Sequence, residues 1–155
     1  MKKCWSKCLI VLFSFILLEI LTYARYQKVQ SEKGILTYKI NTTISLHMEG
    51  KTPYIDFSEI KDFAWDKLYI FGSYTSHNTI SETLGFFWIG SHFTSIEFNE
   101  GIALLVFVKG NRVVQYLEFD RKYDFSYAYK KEGYTIHNSR FVLGERNRMI
   151  WLPTK

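Results

Sequence analysis

Lys2, Lys3 and Lys7 stand ahead of an uncharged run, Cys8 to Leu18, and beyond Glu19 the apolar character continues from Ile20 to Ala24. A segment of this kind must be shielded in hydrocarbon or buried in a protein core. A basic start followed by an apolar run is the pattern of a secretory signal or a signal anchor. Residues 8–24 fall at the short end of the ~17–25 needed for a helix to span a bilayer. Glu19 lies near one end of the run, where its carboxylate reaches the interface. That position avoids the ~2.5–3.5 kcal/mol that a charge costs at the bilayer centre. The lysines put the start of the chain in the cytoplasm and the rest outside. A buried core helix is disfavoured because the run has no polar face. An uncleaved single-pass anchor over residues 1–26 is favoured over a cleaved signal. The alternative is secretion after a cut near Ala24, for which Thr22 and Ala24 form only a loose small-residue match.

Both cysteines, Cys4 and Cys8, sit before or at the start of this run, and residues 9–155 contain none. A lipobox would need its Cys after the run, so lipid attachment at a cleavage site is not expected; palmitoylation is a bare hypothesis. The exported domain must therefore be held by its core without disulfides. Aromatic residues make up 18% of the chain and there are only two prolines, a composition suited to paired strands. The formal net charge of +5 divides unevenly. Residues 1–24 contribute +2, residues 25–120 contribute −2, and residues 121–155 contribute +5. No region reads as a polybasic nucleic-acid arm.

Residues 27–34 are polar and read as a linker, with one domain over 35–155. Leu36, Tyr38, Ile40, Thr42, Ile44, Leu46 and Met48 alternate with mostly polar residues, which predicts a long strand. Glu49 to Pro53 is a turn. Ser58 is expected to cap a helical turn through Asp62, and Trp65 to Phe71 reads as a central strand with apolar residues on both faces. Ser76 caps a short helix that carries Ile80 and Leu84 on one face and ends at Gly85. Phe93–Phe98 reads as a strand, and Gly110-Asn111 is the strongest hairpin signal in the chain. Further strand-like pieces are Phe125–Tyr129, Tyr134–His137, Arg140–Leu143 and Met149–Leu152. The expected fold is α+β: an N-terminal transmembrane or signal helix, then a mostly antiparallel β-sheet domain with one short helix.

The chemistry is sparse. His47, His77, His92 and His137 have no metal-ligand spacing and no cysteine outside the anchor to join them, so neither a metal nor a cofactor is expected. No nucleophile elbow, P-loop or dinucleotide fingerprint occurs. Asp56, Glu59, Asp62 and Asp66 read as a solvated rim. Asn41-Thr42-Thr43 is formally a glycosylation sequon, weakened by its place in a strand. The basic C-terminal region is interleaved with Tyr123, Tyr127, Tyr129, Tyr134 and Trp151. Stacking on single-stranded nucleic acid is one use of such a pattern. A sheet face beside anionic lipid or wall polymer is the other, and export favours it.

The segment Ile60 to Thr75 carries an F-x-W-D-K-x-Y-x-F-G-x-Y-T core: Phe63, Trp65, Asp66, Lys67, Tyr69, Phe71, Gly72, Tyr74 and Thr75. With Leu84, Gly85 and Trp88 after it, and the hairpin Leu104 to Val114, it resembles a group of small exported bacterial proteins, often lipoproteins. The resemblance covers about residues 57–120 and implies export and fold, without an activity. The missing lipobox is a departure from that group. Trp65, Tyr69 and Phe71 are expected on one strand face, and Gly72 in a backbone conformation that suits glycine. A site, if present, is expected where Tyr74, Thr75, His77, Trp88 and His92 converge. The function expected is a membrane-anchored or secreted binding or interaction module without catalysis, meeting anionic lipid, wall polymer or an envelope protein. An envelope hydrolase with a His/acid site and an inhibitor or immunity-type protein are the alternatives.

Overall fold

The computed structural model describes residues 2–52 and 54–153, with side chains from Leu12 onward. The chain divides into two units, residues 1–35 and 36–155. The long helix α1 (Lys2–Met48) forms the first unit and the opening segment of the second. The polar stretch 27–34 is therefore helical, with Lys28 and Glu32 paired one turn apart at 3.8 Å.

In the first unit the large apolar side chains from Leu12 to Tyr26 are exposed. Among the described residues no helix is long and apolar enough to cross a membrane. Of the expected span 8–24, the side chains of residues 8–11 lie outside those described. The portion from Leu12 to Ala24 is by itself shorter than the ~17–25 residues a spanning helix requires.

In the second unit, residues 36–48 are helix and not the expected strand. Alternation at every second position contains a spacing of four. The fold uses that subset: Leu36, Ile40 and Ile44 are buried, whereas Tyr38, Thr42 and Met48 point to solvent. One stripe per turn is the signature of a helix packed on a core. Gly50, with φ +71°, ends the helix in a Schellman motif, its N–H donating to His47 O at 3.0 Å and that of Lys51 to Leu46 O at 2.9 Å. The sequon residue Asn41 is thus on an exposed helical face.

His47 ties this helix end to the rest of the unit. Its Nδ1 lies 2.8 Å from Thr52 O, and its Nε2 accepts the Leu143 N–H at 3.2 Å. A carbonyl only accepts and an N–H only donates, so the contacts assign the proton to Nδ1.

Two antiparallel sheets follow. The central one has the order β4-β3-β2-β5, from β2 (Lys67–Phe71), β3 (Ile102–Lys109), β4 (Arg112–Asp120) and β5 (Tyr134–Thr135). The smaller sheet has the order β1-β6-β7, from β1 (Ile55–Asp56), β6 (Arg140–Leu143) and β7 (Met149–Leu152). The fold is α+β, with one further α-helix among the described residues, α2 (His77–Leu84). Several expected strands are instead 3-10 turns. Phe125–Ala128 is capped by Asp124, and Ile89–Phe93 begins the segment that continues as turns to Phe98. The turn after β1 is Phe57–Glu59, capped by Asp56 and not by Ser58. Short polar residues that bond their own backbone outcompete the ladder in these places.

The central sheet is buried on both faces, as the pattern in β2 predicts. On one face Leu68, Ile70, Ala103, Leu105 and Phe107 meet α1 and the smaller sheet. On the other, Tyr69, Phe71, Leu104, Val106 and Val108 meet Ile80, Leu84 and Ile96. Trp65 joins the first face, edge-on to Phe107 at 5.3 Å, and so is not beside Tyr69 and Phe71 as expected. It precedes β2, where strand alternation no longer sets direction, and its Nε1 donates to Ile60 O at 3.1 Å. Asp66 closes the Gly110-Asn111 hairpin from below, accepting the Gly110 N–H at 2.9 Å. Gly72 sits in a close approach and not in the backbone conformation expected. A Cβ there would come within 3.1 Å of the Ser126 Cβ, and the left-handed backbone at this strand exit belongs to Tyr74 (φ 63°).

Candidate functional site

The candidate site is carried by α2 and the segment after it. Ser76 caps α2, its Oγ accepting the Thr79 N–H at 3.1 Å, and Gly85 terminates it in the left-handed region. This fixes His77 on the first helical turn. Its Nε2 lies 2.9 Å from Glu97 Oε2. The carboxylate can only accept, which assigns the proton to Nε2 and leaves Nδ1 buried with no hydrogen-bond partner. The His92 ring packs on that of His77 with centroids 4.5 Å apart, and Phe87 lies 6.4 Å from His92.

Of the five residues expected to converge, His77 and His92 are brought together. Tyr74 directs its hydroxyl to Glu100 Oε2 at 3.3 Å, and partial desolvation of the phenol and the Glu100 charge raise its pKa. Thr75 Oγ1 donates to Gly72 O at 2.7 Å and closes the turn after β2. Trp88 is directed elsewhere, edge-on to Tyr116 at 5.2 Å. Glu97 and the apolar surface around the histidines were not foreseen. Phe87, Phe93 and Phe98 are 72%, 79% and 80% exposed, and Ile89 is exposed beside them. Reading Phe93–Phe98 as a strand concealed them, since a strand would have buried one side of the segment.

Several surrounding hydroxyls are engaged. Ser73 donates to Glu100 O and Ile102 O, and Ser91 to Trp88 O. Thr94 donates to Ser91 O, and Ser95 to Glu118. Ser76 holds the helix cap. None of these named hydroxyls is bonded to His77. Among the described residues no three His, Cys, Asp or Glu side chains are grouped to hold a metal ion.

A concavity of about 190 Å³ lies between α1 residues 38–43 and residues 55–60. Its polar rim is tied down. Asp56 accepts from Ser58 N at 2.9 Å and from Arg140 Nε at 2.7 Å. Burial alone would raise the Asp56 carboxyl, but these bonds outweigh it and its pKa is lowered.

The basic, aromatic C-terminal region forms internal cation–π pairs. Lys130 lies over Trp151 at 4.5 Å, Arg148 over Tyr127 at 4.2 Å, and Arg140 over Tyr54 at 4.7 Å. Tyr134 is buried, which pushes its phenol up to about 12.

Comparison of the chain with family models, curated proteins and solved structures finds no match.

Proposed function

We propose that this chain is a non-catalytic binding module of the cell envelope, held at a membrane by its N-terminal segment and presenting the surface of residues 74–100 to a partner. The observation that carries the reading is the set of exposed rings at Phe87, Phe93 and Phe98 beside the anchored His77–Glu97 pair. Exposed apolar surface of this kind marks interaction sites on folded domains, and a fixed histidine–carboxylate pair gives it a rigid polar centre. The membrane assignment rests on Lys2, Lys3 and Lys7 ahead of the apolar residues 8–24. The resemblance to exported bacterial proteins points the same way.

Two measurements test the proposal. A photo-crosslinking phenylalanine analogue placed at Phe87 or Phe93 in living cells should give a discrete adduct, and the same group at exposed Glu132 should not. Adducts at neither Phe, or equally at Glu132, would overturn the binding face. For location, a C-terminal reporter should be active only outside the cytoplasm, with the uncut N-terminus in the membrane fraction. A soluble chain starting at Arg25 would refute the anchor.

A further inference from the structure

We infer that the occupant of this surface is a Lys- or Arg-bearing segment of another protein. The inference rests on the binding-module reading above and specifies its partner. Residues 68–108 contain no Lys or Arg, yet include Glu82, Glu97 and Glu100. Twenty Lys and Arg occur in the whole chain, so their absence from this stretch gives the surface an acidic sign, offset at its Glu100 end by Arg121, whose guanidinium donates to Glu100 O at 3.3 Å. Two of these acids are also held in place. Glu97 is fixed by His77, Glu100 receives the Tyr74 hydroxyl, and Glu118 of the neighbouring β4 receives the Ser95 hydroxyl at 3.0 Å.

The rings make the same argument. Elsewhere in the domain three aromatics are covered by the protein's own cations, Trp151 by Lys130, Tyr127 by Arg148 and Tyr54 by Arg140. Phe87, Phe93 and Phe98 have no Lys or Arg in their own stretch of chain and stay open. An aromatic face attracts a cation by roughly 0.5–1 kcal/mol at an exposed site and more when desolvated. Fixed carboxylates beside open rings therefore select a cationic partner and repel anionic lipid, wall polymer and nucleic acid.

The test uses the full chain in zwitterionic micelles, with short synthetic peptides of alternating Arg and Leu or of alternating Glu and Leu. The Arg–Leu peptide should bind, shift the NMR signals of residues 74–100 and weaken as salt is raised. The variant Phe87→Ser/Phe93→Ser should lose roughly tenfold or more in affinity while its thermal midpoint stays that of the parent. If that variant unfolds, Phe98→Ser gives the same readout.

The inference fails if the Glu–Leu peptide binds equally, if the serine variants bind as the parent does, or if the shifts fall in residues 121–155. It also fails if the surface instead mediates concentration-dependent self-association or binds anionic vesicles. Persistent adducts at Phe93 without binding of the Arg–Leu peptide would remove the cationic identity and leave the binding face standing. Loss of both would remove the module itself.

Discussion

The two faces of the central sheet use the same residue types for opposite ends. On the face toward α1, rings interlock edge to face: Phe57 with Phe125 and Phe141 at 6.0 and 5.5 Å, and Phe107 with Phe63 and Trp65 at 5.2 and 5.3 Å. That geometry places the positive edge of one ring on the negative face of the next. On the face toward α2 the packing is mostly aliphatic, through Ile80, Leu84, Ile96, Leu104 and Val106. Its neighbouring rings, Phe87, Phe93 and Phe98, are left in solvent. The contrast teaches that a high aromatic content is not one property. Rings buried in the core hold the fold, and rings left in solvent are available to a partner.

The comparison breaks first at Phe107. Phe107→Ala should cost about 3–5 kcal/mol by urea unfolding, because it removes the ring shared by Phe57, Phe63 and Trp65. A smaller cost than that of Ile80→Ala would invert the assignment of the two faces. Ile80→Ala, on the α2 face, belongs at the low end of the ~2–5 kcal/mol range for such truncations. The open loops beside it can collapse toward the cavity. His47→Ala comes next, at about 1–3 kcal/mol, since it leaves the Thr52 carbonyl and the Leu143 N–H without their partner.

Tyr134→Phe sharpens the first face further. It removes the 2.8 Å bond from the phenol to Ala128 O, worth about 1 kcal/mol. Burial raises the folded phenol from 10.0 to about 12, so the native state resists ionisation. Its contribution is complete below pH 10.0 and is lost as pH rises toward about 12. The Phe variant should lack that alkaline loss in a stability-against-pH series. Smallest of all is Phe93→Ser, which should change stability by no more than about 0.5 kcal/mol. A larger change would mean that the open rings support the fold, and the distinction between faces would dissolve.

Local patterns that need no partner were legible in the chain. Ser76 and Gly85 bound α2, Gly110-Asn111 turns β3 into β4, and β2 has two apolar faces. Each depends on backbone chemistry within a few residues. The errors arose where two periodicities coexist or where direction is set at a distance. Leu36, Ile40 and Ile44 satisfy a strand and a helix alike, and burial against the sheet selected the helix. Within the candidate site, the sequence led to His77 and His92 but not to Glu97, which meets His77 only through the turns after α2.

The sequence by itself determined the α+β composition, the ends of α2, the central hairpin and the segregation of charge that leaves residues 68–108 without a cation. Tertiary structure alone decided which rings are buried. A ring's exposure depends on what the rest of the chain places against it, and no local propensity carries that information. Phe107 and Phe93 are the same residue: one is enclosed by three other rings, and the other faces water.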